Sequence, residues 1–207
     1  MNTARDLAIV TLDTASDHTV EQGDLSLALA AAEMFDLLDA HALVLDGDLI
    51  TPSAQAPTGD RLLDEAASAL VRQEPYESVE DWLWRRGRGL SAAYVEDLER
   101  VGLTARAPGP RFALRAAPSV PVDSAARRQA DERWTSGEPV LAALGTAAGI
   151  RDEPGEDAEE AEKLTELTDE TVTTVLAALG NAVMELEAVR QRRAIEDAAF
   201  DNVWRGY

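Results

Sequence analysis

Arginine is the residue type through which this sequence could do chemistry. Ten arginines fall between Trp82 and Trp134, a window holding six acids (Glu96, Asp97, Glu99, Asp123, Asp131 and Glu132), so the window is net +4 in a chain of net charge −20. A guanidinium is a planar fork of donors that matches phosphate and carboxylate oxygens. One cluster stands out, Arg85, Arg86 and Arg88 beside Trp82 and Trp84. Such clusters have two uses. They compensate a helix dipole and pair with the protein's own acids, or they hold a phosphorylated headgroup or another anion. A tryptophan exposed beside arginines would suit docking at a membrane interface.

Other chemistries find little material. His18 and His41 lie in unrelated segments without a ligand-spaced partner, and the chain has no cysteine, so a transition-metal site is not expected. The acids of Glu156–Glu162 lack the ordered alternation of a calcium loop. No G-x-S-x-G elbow or Ser-x-x-Lys pair occurs, and the one lysine, Lys163, sits in an acidic run. Asp60, Asp64 and Glu65 could be imagined as an acid–base set, but helix capping by Asp60 and a polar face for the others explain them. Neither APTGD nor RRGRG matches a phosphate-binding glycine loop. The chain reads as a binding or adaptor protein without catalytic residues or cofactor.

The charge also bounds the partners. With 19 basic and 39 acidic residues, the molecule's field should repel nucleic acid and anionic lipid at long range, so any anion site must be local. Absence of cysteine suits a cytoplasmic protein. The opening MNTARDLAIVTLDTASD lacks a long apolar region, and no stretch approaches the roughly 20 apolar residues of a membrane span. A soluble protein is expected, cytoplasmic and at most peripheral on the inner face of the membrane.

The elements that must position these residues are mostly helical. Apolar residues make up 45% of the chain and aromatics 5%, so the core is built from Leu, Val and Ala, which favours helices. Leu7–Leu12 is an apolar run, either a strand or a turn or two of helix. Leu27, Ala31, Met34, Phe35 and Leu38 predict a helix over 24–38 that is nearly surrounded by protein. ALVLDGDLI predicts a hairpin turning at Asp46-Gly47. Leu62, Leu63, Ala66 and Leu70 form one face of the next helix, with Arg61 and Glu65 four apart on another. Ser78 is the expected N-cap of a helix presenting Val79, Trp82 and Leu83 inward and stopped by the glycines of RRGRG. A helix over 93–101 ends at Gly102, and a second hairpin follows over 103–115, with Leu103, Phe112 and Leu114 on its apolar side. Helices are expected over 124–134 and 139–148. The acidic stretch 151–163 reads as a solvated loop or a frayed helix. Val172, Val175, Leu176, Leu179, Val183 and Leu186 predict a helix over 171–189 near the centre of a bundle, with 190–204 continuing or following it.

Four segments carry a resemblance. APTGDRLLDEA (56–66) is similar to the PTGD-x-LLDEA segment of the Golgi phosphoprotein 3-like proteins, whose bacterial members are common in actinobacteria. ARDLAIVTLD (4–13), GRGLSAAYVEDLERVGLTARA (87–107) and PVDSAARRQADERW (121–134) resemble three further segments of that family in the same order. The resemblance implies one mainly α domain over 1–207: a compact helical bundle with surrounding amphipathic helices and small β-hairpins. It also implies a non-enzymatic adaptor. The eukaryotic relatives are peripheral membrane proteins that bind phosphatidylinositol 4-phosphate and the cytosolic tails of Golgi glycosyltransferases.

Carried over residue by residue, the resemblance implies a degraded lipid site. The family's tryptophan before the first bundle helix falls at Glu21, and an arginine within that helix falls near Ala30. Two basic positions on the proline-led helix fall near Arg127, Arg128 or Ala130, so an anionic phospholipid headgroup would be held by Arg127 and Arg128, joined by Arg133. The hairpin after that helix, long in eukaryotic members, is reduced to TSGEP. Two functions follow: a peripheral membrane or phosphoinositide-type adaptor, or a soluble module that keeps the fold and binds a protein partner without lipid. No nucleic-acid partner is expected.

Overall fold

The computed structural model describes residues 2–14, 20–54, 57–106, 119–150 and 169–204. Eight helices occur among them: α1 (Thr3–Thr14), α2 (Gln22–Asp39), α3 (Arg61–Ser68), α4 (Val79–Arg86), α5 (Leu90–Arg100), α6 (Ala125–Thr135), α7 (Pro139–Ala147) and α8 (Glu170–Trp204). Four short strands complete the described chain: β1 (Leu43–Asp46), β2 (Leu49–Pro52), β3 (Thr104–Arg106) and β4 (Ser119–Pro121). The fold is mainly α, as the residue pattern predicts.

The axis of the fold is α2. Every residue from Leu25 to Leu37 is buried, and α1, α3, α4, α5, α7 and α8 pack around it. Its alanines (Ala28, Ala30, Ala31 and Ala32, all fully buried) leave no bulk between neighbouring backbones, which lets several helices approach one axis. The apolar run at Leu7–Leu12 resolves as helix, because α1 lies along α2 and buries Leu7, Ala8, Ile9 and Val10.

Helix α8 corrects the expectation that 171–189 occupies the centre. Over residues 170–197 of it, only Val175, Leu179 and Ala182 are buried, whereas Met184 and Ile195 are 72% and 69% exposed. Periodicity reports that one face is apolar; it does not report how many neighbours surround the helix. By length and composition alone this helix could cross a membrane, so the expectation that no stretch comes near a span is also revised. In the fold its inner face packs against α2, α4 and α7.

The first hairpin forms with Leu43 opposite Pro52 and Asp46 opposite Leu49. The two loop residues are therefore Gly47 and Asp48, one position beyond the predicted turn, and Gly47 supplies the positive φ of 63°. The second hairpin differs more. Strand β3 pairs with β4, Thr104 opposite Pro121, so the partner seen among the described residues comes from the proline-bearing stretch. Phe112, Leu114 and the acidic stretch 151–163 lie outside the described residues. Helix α5 starts at Leu90, three residues earlier than predicted, because Gly89 takes a left-handed conformation (φ 70°) that turns the chain out of α4.

Candidate functional site

The proline-led helix α6 carries the three arginines expected to face a headgroup. Ser124 caps it by accepting the Arg127 N–H, and Ala130 is fully buried toward the core. The helix packs on α1 and α7, and this packing decides what the arginines meet. Arg127 donates from Nε and Nη2 to both carboxylate oxygens of Asp13, at 3.0 and 2.8 Å. Arg128 pairs with Asp123 at 2.8 Å. Arg133, mostly buried, donates to Asp6 on α1 and to Glu138, and Glu138 in turn caps α7 by accepting the Leu141 N–H. Arg127 and Arg128 do share a surface depression of about 320 Å³, but Asp13, Asp123 and Asp131 line it with them. Three carboxylates outnumber two guanidiniums there, so the local field favours cations over anions. Asp6, Asp13, Asp123 and Glu138 are the residues that sequence reasoning missed. Nothing in their spacing marks them; Asp6 and Asp13 meet α6 only through tertiary packing.

The second arginine cluster sits at the end of α4. Trp82 is fully buried, and its Nε1 donates to the Ala30 carbonyl at 3.2 Å. Arg85 lies over the Trp82 ring and binds Glu77 through two hydrogen bonds of 2.6 Å. Arg86 reaches inward and donates from Nε and Nη2 to the two carboxylate oxygens of the fully buried Glu33 of α2, at 2.6 and 2.8 Å. Tyr94 donates its hydroxyl to the same carboxylate at 3.1 Å. Burial pushes Glu33 above the usual carboxylate range, with the Arg86 fork and the Tyr94 hydroxyl pulling the other way. Glu33 was legible in principle, since an acid in the middle of a helix expected to be nearly surrounded by protein requires a partner. Arg88 is exposed and has no ion pair among the described residues. It shares a depression of about 440 Å³ with Gln22, Ser26, Trp84, Gly89 and Leu186. Trp84 is half-buried and packs on the core, rather than standing out as an interfacial anchor.

The PTGD segment is a capping unit. Asp60 accepts the Leu62 and Leu63 N–H groups at the start of α3. The same carboxylate takes the Asn2 amide at 2.6 Å and pairs with Arg5 at 2.5 Å, tying α1 to α3. Thr58 donates its N–H and its hydroxyl to Asp64, 2.7 and 2.8 Å away, and these bonds hold Asp64 below the usual carboxylate range. Arg61 completes the unit by bridging Asp97 of α5 and Glu65. Asp60, Asp64 and Glu65 are thus engaged structurally, in the roles their helix positions suggest. No cluster of three or more potential metal ligands occurs among the described residues.

The described residues form a mainly helical scaffold organised on one buried helix, with most of the arginines considered above held by the chain's own carboxylates. The chain belongs to the Golgi phosphoprotein 3 (GPP34) family, whose model matches residues 4–186. That family is made of non-catalytic adaptors. No curated protein matches the chain.

Proposed function

We propose that this chain is a non-enzymatic, cytoplasmic adaptor that works through a protein partner, and that the family's headgroup site has become structural in it. The observation that carries this reading is the pairing of all three α6 arginines with the chain's own carboxylates. A phosphorylated headgroup would have to displace Asp13 and Asp123 in a molecule of net charge −20, where long-range repulsion opposes its approach. The short α6–α7 connection, 136–138, in place of the hairpin that is long in eukaryotic members, supports placing the chain among the bacterial, actinobacterial-type members.

Flotation with neutral, anionic and phosphatidylinositol 4-phosphate-bearing vesicles tests this. We expect no phosphoinositide-dependent flotation across a low-salt series. Flotation that is lost in the Arg127→Ala, Arg128→Ala double variant would overturn the reading. It would establish the second one, a peripheral membrane adaptor on the inner face of the membrane. One observation favours that alternative: Arg128 and Asp123 are 62% and 81% exposed, and so open a pair is worth little in water, which leaves Arg128 exchangeable toward a phosphate.

A further inference from the structure

The outer face of α8 has no use in the fold just described. Ala177, Asn181, Met184, Ala188, Gln191 and Ile195 follow one another at alternating steps of four and three residues, and all six are exposed. That is a heptad stripe on the side opposite Val175, Leu179 and Ala182. Past Arg190, which pairs with Asp24 of α2 at 2.8 Å, each residue from Gln191 to Asp197 is exposed, so this end of the helix leaves the body. Two opposite charges flank the stripe on the same side, Glu185 and Arg192, one heptad apart. Neither has an ion pair among the described residues.

We infer that this face is the contact of an antiparallel homodimer. Turning α8 about a two-fold axis between Val189 and Arg190 sets Met184 of one copy against Ile195 of the second, and Ala188 against Gln191. The same operation brings Glu185 beside Arg192 of the second copy, and the symmetry repeats that pair on the other side. The stripe is therefore complementary to itself in charge. Each projecting end lies along the half of the partner helix that is packed on its own body, so the two bodies sit at opposite ends and do not collide. A parallel pair would place the two copies of each charge at the same level and both bodies at one end. An anionic membrane is a poorer occupant, because the exposed residues of this length carry four acids (Glu185, Glu187, Glu196 and Asp197) against Arg192 and Arg193, on a molecule of net charge −20.

Sedimentation equilibrium of the full chain at physiological salt tests the contact. The native protein should dimerise with a concentration-dependent mass. Glu185→Arg and Arg192→Glu should each weaken the dimer at least about tenfold, because each opposes like charges twice. The Glu185→Arg, Arg192→Glu double variant should restore it. Met184→Glu should give a monomer with an unchanged thermal midpoint, which shows that folding is intact. A native protein that stays monomeric to about millimolar concentration, or a dimer indifferent to the charge reversals, overturns the proposal. So does flotation of the native protein on neutral vesicles that Met184→Glu abolishes, since the face would then be covered by lipid.

Discussion

Buried carboxylates in this protein survive because neighbouring donors replace water. Asp36, 2% exposed, accepts the N–H groups of Thr3 and Ala4 at 2.8 and 3.0 Å and so caps α1 from α2. Burial nevertheless dominates and raises it from 3.8 to about 6. At this carboxyl the folded state then binds more protons than the unfolded state between those two values, so the contribution of Asp36 to stability falls as pH rises from about 4 to about 6. Asp36→Asn should remove that contribution, so the native protein loses stability relative to the variant as pH rises through the window. Thermal midpoints of the two proteins measured from pH 4 to pH 7 should converge or diverge across this window, and parallel curves would contradict the assignment. Arg133 and Arg128 offer a contrast in burial. Arg133→Ala strands the buried Asp6, whose carboxyl burial already pushes upward, and should cost about 3–5 kcal/mol. Arg128→Ala breaks an exposed pair and should cost under about 0.5 kcal/mol. Urea melts check both.

At the scale of the element, α8 and α7 show how one face is committed. Leu179→Ala opens a cavity between α8 and its neighbours and should destabilise by about 2–5 kcal/mol in urea. Helix α7 packs on α6 closely at Gly145, where a Cβ would run into the rim of the Trp134 indole. Gly145→Ala gains helix propensity but must displace a rigid ring, so a net loss of about 1–3 kcal/mol is expected. A thermal midpoint above that of the native protein would show that the ring moves freely. The capping unit around Asp60 works on the same scale, since one carboxylate closes α3 and holds the start of α1.

For the whole molecule, charge is the governing quantity. A net charge of −20 on 207 residues repels itself in the folded state, so screening should stabilise the protein. The thermal midpoint should rise from about 10 mM to about 500 mM sodium chloride. A fall instead would mean that the exposed arginine pairs outweigh the self-repulsion.

What the sequence determined by itself was local. Helix positions followed from apolar spacing, the caps at Asp60 and Ser78 from residue type, and the family from the PTGD segment, because each depends on residues a few positions apart. Position within the bundle was not legible: α2 and α8 both show apolar periodicity, and only packing decides that α2 is enclosed while α8 keeps an open face. The same holds for the candidate site. Sequence reasoning found Arg127, Arg128 and Arg133, but Asp13 is 114 residues from Arg127 and Asp6 is 127 from Arg133. Whether a guanidinium is free for a phosphate or held by a carboxylate depends on which helices touch. That is a property of the tertiary structure, because the energy of a charge is set by the groups within a few ångströms of it and not by its neighbours along the chain.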